Sequence, residues 1–134
     1  MAEAVLVDTN LLLDLITDDP RWADWSQQQL ERWSLTHRLL INPVIYAEFS
    51  IGFERIEDLD ETLDLMRIDS VEIPPAALFL AGKAFRHFRR QGGKAGVLPD
   101  FFIGAHAAVA GIPLLSRDKG RFKSYFPTLE LITP

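Results

Sequence analysis

The chain has no cysteine. That excludes a disulfide framework, a thiolate zinc site and a cysteine nucleophile. Long apolar runs are missing too: none approaches the ~18 residues a membrane span requires. The opening stretch MAEAVLV lacks the basic, apolar and small-residue layout of a secretory signal. A cytoplasmic protein with no membrane partner is the expectation. Positive charge is scarce, with 14 Lys and Arg against 19 Asp and Glu and a net charge of -5. This argues against holding nucleic acid through global charge, because nonspecific affinity comes mostly from phosphate neutralisation by Lys and Arg. A local basic patch is the remaining route. No segment repeats itself at solenoid-like spacing, and no low-complexity tract interrupts the chain.

What is present is a chain of 134 residues, 48% of them hydrophobic, which suits one domain over residues 1–134 with a continuous core. Ala4 to Val7 reads as a short buried strand and Thr9 to Thr17 as a helix with leucines on most faces. Asp18-Asp19-Pro20 is a helix start signal, followed by Trp22, Trp25, Leu30 and Trp33 at roughly helical spacing through Leu35. Leu39 to Ile41 is a second strand. Asn42-Pro43 is an N-cap with a first-turn proline, opening a helix that carries Ile45, Glu48 and Phe49. Ile56 to Met66 reads as an acidic amphipathic helix, Val71 to Ile73 as a third strand, and Pro75 opens a long helix ending near Gly92-Gly93. Leu98-Pro99-Asp100 starts FFIGAHAAVAG, closed by Gly111. Pro113 to Leu115, a helical turn from Lys119 to Tyr125 and a strand from Leu129 to Ile132 complete the chain. Alternating strands and helices predict an α/β protein with a largely parallel sheet covered on both faces.

In such sheets ligands bind beyond the carboxyl ends of the strands. Asp8 closes the first strand, Glu48 lies about two turns into the helix after the second, Asp100 is in the first turn of its helix, and Asp118 follows PLLSR. All four are acidic. Each has an ordinary reading alone: Asp8 as an N-cap, Glu48 as a solvated helix residue, Asp100 as a dipole partner, Asp118 as a turn residue. Their joint placement at strand exits points elsewhere, because converging carboxylates require raised pKa values or a bound cation. Oxygen-only ligands favour Mg²⁺ or Mn²⁺ over zinc, and such an ion suits phosphodiester hydrolysis.

VDTN at Val7 to Asn10, Glu48 within INPVIYAEF, LPDFFIGAHA at Leu98 to Ala107 and LLSRDKGRFKSYFP at Leu114 to Pro127 together resemble the PIN-domain family, specifically the VapC-like toxins of bacterial toxin-antitoxin pairs. The resemblance spans nearly the whole chain in the right order, and its last two segments are the specific ones. It implies a three-layer α/β/α sandwich with a central, mostly parallel sheet, and a Mg²⁺- or Mn²⁺-dependent endoribonuclease. Carried over by position, the catalytic and metal-binding acids would be Asp8, Glu48, Asp100 and Asp118. Asn10 and Ser116 would be the accompanying polar residues, with Arg117 and Arg121 where a substrate phosphate would be met. Many relatives carry a further acid a few residues after the fourth. Gly120, Arg121 and Phe122 fill that region here, a departure that bears on any second metal. The implied partners are RNA, a VapB-type antitoxin covering the acidic site and a second copy of the chain. Two rivals stand beside this reading: an inactive PIN-like module binding RNA or protein, and another acid-site phosphohydrolase. Asn10 stands where a haloacid-dehalogenase-type phosphatase would need a second Asp, and a receiver domain would want an acidic pair near the first strand.

Outside that set, Lys83, Arg86, His87, Arg90 and Lys94 recur on or near one helix face, with Ala84, Phe85 and Phe88 turned elsewhere. This is a solvated basic face or, through Arg86 and Arg90, an RNA contact. QGGKAG lacks the GxxxxGK[ST] spacing of a phosphate loop and follows a helix where a strand is needed. His37, His87 and His106 show no metal-ligand spacing, and His106 reads as a residue for packing or a local hydrogen bond. The tryptophan-bearing helix and the acidic helix could border a partner groove, though core packing is the ordinary role of each Trp. Asp14, six residues beyond Asp8, reads as a helix-surface or helix-end residue.

Overall fold

The apolar run Ala4–Val7 forms β1, with Val5, Leu6 and Val7 fully buried, in a computed structural model that describes residues 3–118 and 120–134. Strands β2 (Arg38–Ile41), β3 (Ile68–Ser70), β4 (Leu114–Leu115) and β5 (Leu131–Ile132) join it in the order β3-β2-β1-β4-β5. Every pairing is parallel. Parallel strands need covered crossovers, and among the described residues seven α-helices supply them: α1 (Thr9–Ile16), α2 (Ala23–Ser34), α3 (Pro43–Ser50), α4 (Ile56–Leu65), α5 (Pro75–Arg90), α6 (Leu98–Ala110) and α7 (Arg121–Tyr125). The result is a three-layer α/β/α sandwich about a parallel sheet, as the resemblance implied.

Local chemistry sets the helix ends. Asn42 caps α3, its Oδ1 accepting the Ile45 N–H at 3.0 Å. Gly111 ends α6 in the left-handed region at φ 66°, where a residue without Cβ is unstrained. Helix α2 begins later than its start signal implied. The Asp19 carboxylate instead closes a separate turn by accepting the N–H groups of Arg21 and Trp22, both at 2.9 Å.

The third strand is a correction. It is Ile68–Ser70 rather than Val71 to Ile73, pairing Ile68 with Leu39, Asp69 with Leu40 and Ser70 with Ile41. It starts directly after Arg67, a turn residue at φ 58°. As an edge strand it buries only Ile68, so Asp69 and Ser70 hide it from an apolar pattern. The fourth and fifth strands are each shorter than their apolar runs.

The strand order decides where a ligand can sit. From β1 the chain builds outward through β2 and β3, then returns to lay β4 on the other side of β1. The crevice of such a sheet opens at the carboxyl ends of the two strands flanking this switch. Asp8 follows β1 and Ser116 follows β4, and the Asp8 N–H donates to the Leu115 carbonyl at 2.9 Å. Helix α7 reaches the same edge because Gly104 lets it approach α6. A Cβ at residue 104 would meet the Phe126 ring at 2.6 Å.

Candidate active site

Asp8 leaves β1 with extended backbone and caps α1, Oδ1 accepting the Thr9 N–H at 2.8 Å. Its other oxygen, Oδ2, accepts from the Ser116 hydroxyl at 2.7 Å and from Asn10 Nδ2 at 3.2 Å. The residue is only 6% exposed. Burial pushes its carboxyl up to about 6, with Asp100 and Glu48 adding repulsion and the bonds from Ser116 and Thr9 opposing. Capping and membership of an acidic cluster are therefore one role: a carboxylate at the first amide of a helix can also face outward to the crevice.

Glu48, on α3, accepts the Thr9 hydroxyl at 2.6 Å through Oε1. Thr9 thus ties two of the acids together, its backbone to Asp8 and its side chain to Glu48. Asp100 sits in the first turn of α6. Burial raises its carboxyl, Arg121 opposes the rise, and Glu48 and Asp118 add to it. Asp118 donates its N–H to Ser116 Oγ at 3.0 Å. Ser116 is consequently a junction, giving its proton to Asp8 while its oxygen takes the Asp118 amide and lies 3.4 Å from Asn10 Nδ2.

One guanidinium balances much of this charge. Arg121 Nη1 lies 3.1 Å from Asp100 and Nη2 lies 2.6 Å from Asp118. Partial burial works against its positive charge, but the two carboxylates outweigh that and hold it protonated. The four acids expected from the sequence are therefore electrostatically linked: Asp8 with Asp100 and Glu48, Asp100 with Glu48 and Asp118. Among the described residues, no three acids or histidines form a ready-made metal cage. The donor set, all carboxylate oxygen under mutual repulsion, nevertheless fits a hard divalent cation by type.

Asp14 requires a correction. It is no surface residue: its side chain is 3% exposed and receives Arg117 through two bonds, Nε to Oδ2 and Nη2 to Oδ1, each 2.8 Å. The buried Ser26 hydroxyl donates to Oδ2, also at 2.8 Å. Arg117 stands between Ser116 and Asp118, and its N–H reaches Asn10 Oδ1 at 3.3 Å. Two of its side-chain nitrogens are thus committed to Asp14, while its guanidinium carbon lies 5.3 Å from the Trp22 ring centre. Three residues from the fully buried Leu11, Asp14 is on the inward side of α1, a side that leucines on most faces of the helix do not mark in the sequence. Thr9 was missed as well, although it sits inside VDTN.

Elsewhere, Arg86 and Arg90 are exposed on α5, and among the described residues no ion pair joins them to a carboxylate. His106 is buried, its Nδ1 3.2 Å from Asn42 Nδ2, and burial lowers its basicity. A groove does run beside α2 and the end of α4, lined by Leu15, Leu30, Leu39 and Met66 among others, but no tryptophan lines it. Trp25 and Trp33 pack against the core. Lys119 lies outside the described residues, and the helical turn expected from it begins at Arg121. Among the described residues no helix is long and apolar enough to cross a membrane.

A family model described as "PIN domain" matches residues 5–125. Among solved structures, the chain is similar to one from VapBC2 of Rickettsia felis bound to a DNA fragment from its promoter, at 21% identity and TM-score 0.76, covering 98% of each chain. VapBC-1 from nontypeable Haemophilus influenzae gives 20% identity and TM-score 0.71 over 97% of each chain. FitAcB from Neisseria gonorrhoeae gives 17% and 0.69, also over 97% of each. At these identities the likeness is one of fold. No curated protein sequence matches the chain.

Proposed function

The chain belongs to the PIN domain family, and we propose that it is a divalent-metal-dependent endoribonuclease, the toxin of a VapBC-type pair. The observation that carries this reading is the convergence of Asp8, Glu48, Asp100 and Asp118 at the switch point, with two of the four carboxyls raised by burial and mutual repulsion. Arg121 lies between two of them, Asp100 and Asp118.

Asp8, Asp100 and Asp118, with Glu48 beside them, would hold Mg²⁺ or Mn²⁺. Bound there, such an ion supplies a nucleophilic water at neutral pH and stabilises charge on a phosphoryl oxygen. Glu48, fixed by the Thr9 hydroxyl, orients the attacking water and accepts its proton. The water oxygen bonds to phosphorus in line with the departing 3' oxygen, the P–O3' bond breaks, and that oxygen takes up a proton. The products are a 5'-phosphate and a 3'-hydroxyl, with no nucleophilic part for the RNA 2'-OH. Ser116 and Asn10 keep Asp8 oriented, and Arg121 offers its charge to a phosphate. Arg86 and Arg90 extend the positive surface along α5. The partners on this reading are RNA, an antitoxin and a second copy of the chain, acting in the cytoplasm; the VapBC names of the similar structures support the antitoxin.

The test is cleavage of RNA by the purified chain with Mn²⁺ and by Asp8→Asn and Asp100→Asn. Wild type should cut, leaving 5'-phosphate ends, and both variants should not. Equal cleavage by either variant overturns the assignment, and loss of RNA binding without any cleavage would favour the inactive binding module.

A further inference from the structure

A second feature lies one helical turn from the acids. Helices α5 and α7 enclose a cleft of about 530 Å³ lined by Ala84, His87, Phe88, Gln91, Ser124 and Tyr125, a size within the usual range for small-molecule sites. Its position is set by α7. Arg121, at the start of that helix, touches Asp100 and Asp118, and Tyr125 lies four residues on, on the same helix face. The Tyr125 ring is stacked on Phe101 with centres 4.4 Å apart, and Phe101 directly follows Asp100. Phe88 meets Tyr125 edge-on at 5.0 Å. The aromatic wall is therefore anchored in the core beside the acidic edge, and its surroundings are polar.

We infer that this cleft is a subsite for one nucleobase of single-stranded RNA, next to the phosphate that is cut. The inference rests on the ribonuclease reading for its substrate and extends it to sequence preference. Single-stranded RNA is recognised by splaying bases onto aromatic side chains and bonding their edges. The groups present match those needs: Tyr125 and Phe88 for the flat apolar body, and Gln91, His87 and Ser124 for the edge. Gln91 offers both a donor and an acceptor, so it can pair with a base edge in two ways. The backbone leaving the subsite would run along α5, where Arg86 and Arg90 are exposed and, among the described residues, in no ion pair. A polar and aromatic wall of this kind, with exposed arginines beside it on α5, suits a nucleotide better than an apolar peptide segment.

The test is independent of cleavage. The full chain, without divalent metal, is titrated with each of the four nucleoside 5'-monophosphates and with inorganic phosphate while backbone amide resonances are followed. The amides of His87, Gln91, Ser124 and Tyr125 should move with at least one nucleotide and not with phosphate. Gln91→Ala and His87→Ala, both at exposed positions, should each weaken that nucleotide by about three- to tenfold. The inference is overturned if phosphate reproduces the shifts, if no nucleotide moves these amides, or if neither variant changes the affinity. If the chain binds a base here yet never cuts RNA, the hydrolase reading fails and the cleft stands as a nucleobase site with no scissile phosphate beside it. If it cuts RNA while any of the overturning results holds, the subsite fails and the hydrolase stands.

Discussion

Removing the Asp14 carboxylate tests whether the acidic edge is braced from within. In Asp14→Ala, the Arg117 guanidinium loses two bonds of 2.8 Å and the buried Ser26 hydroxyl loses its acceptor. Stranding one half of a buried ion pair typically costs about 3–5 kcal/mol. Arg117 keeps a side chain 28% exposed, so water recovers part of that, and about 2–4 kcal/mol is the expected loss. For a domain of this size the midpoint should fall by roughly 10 °C. The assay is urea and thermal unfolding of wild type, Asp14→Ala, Arg117→Ala and the double variant. Either single change strands the other partner, whereas the double change strands neither, so the double should lose less than the sum by about 1–3 kcal/mol. A loss below ~1 kcal/mol for Asp14→Ala, or additivity within ~0.5 kcal/mol, would refute the brace.

Asp8 binds its proton more tightly in the folded chain, at about 6 against an ordinary 3.8, so its ionisation opposes folding above pH 6 and the opposition fades as pH falls toward 4. Asp8→Asn should therefore stabilise the chain by up to about 3 kcal/mol at pH 8 while abolishing cleavage, with the gain vanishing near pH 4; a variant less stable than wild type at pH 8 would count against the raised carboxyl. Arg121→Gln removes the cation between Asp100 and Asp118 and should tighten Mn²⁺ binding several-fold by calorimetry; unchanged or weaker binding would show that the guanidinium does not compete for those oxygens. Exchanging both Arg86 and Arg90 for Glu should weaken binding to single-stranded RNA by at least about tenfold and flatten its salt dependence, with the thermal midpoint unmoved; equal RNA affinity would return α5 to a solvated face. Gly104→Ala should destabilise by more than about 1 kcal/mol and reduce Mn²⁺ binding together, because the Phe126 ring must shift; intact stability would mean α7 has another seat.

How far each of these residues could be foreseen depends on how distant its partner is. Buried parallel strands read as continuous apolar runs, and the caps at Asn42 and Gly111 are local, so element order was legible from short windows. Asp8 stood out because it closes an apolar run, Asp100 because it opens an apolar helix, and Asp118 because it follows a short apolar strand by two polar residues. Edge strand β3 was not, since pairing with β2 determines it and its own residues are mostly polar. Asp14 depends on an arginine 103 positions away, and no local pattern reports a partner at that separation. Arg121 falls between these cases. Its pairing with Asp118 is a three-residue step along the chain, but its contact with Asp100 exists only because α7 packs closely on α6. That approach requires a residue without Cβ at Gly104, one helical turn beyond Asp100. The charge balance at the acidic edge is therefore set partly by a glycine that carries no charge and, in the sequence alone, looked like an ordinary small residue in FFIGAHA.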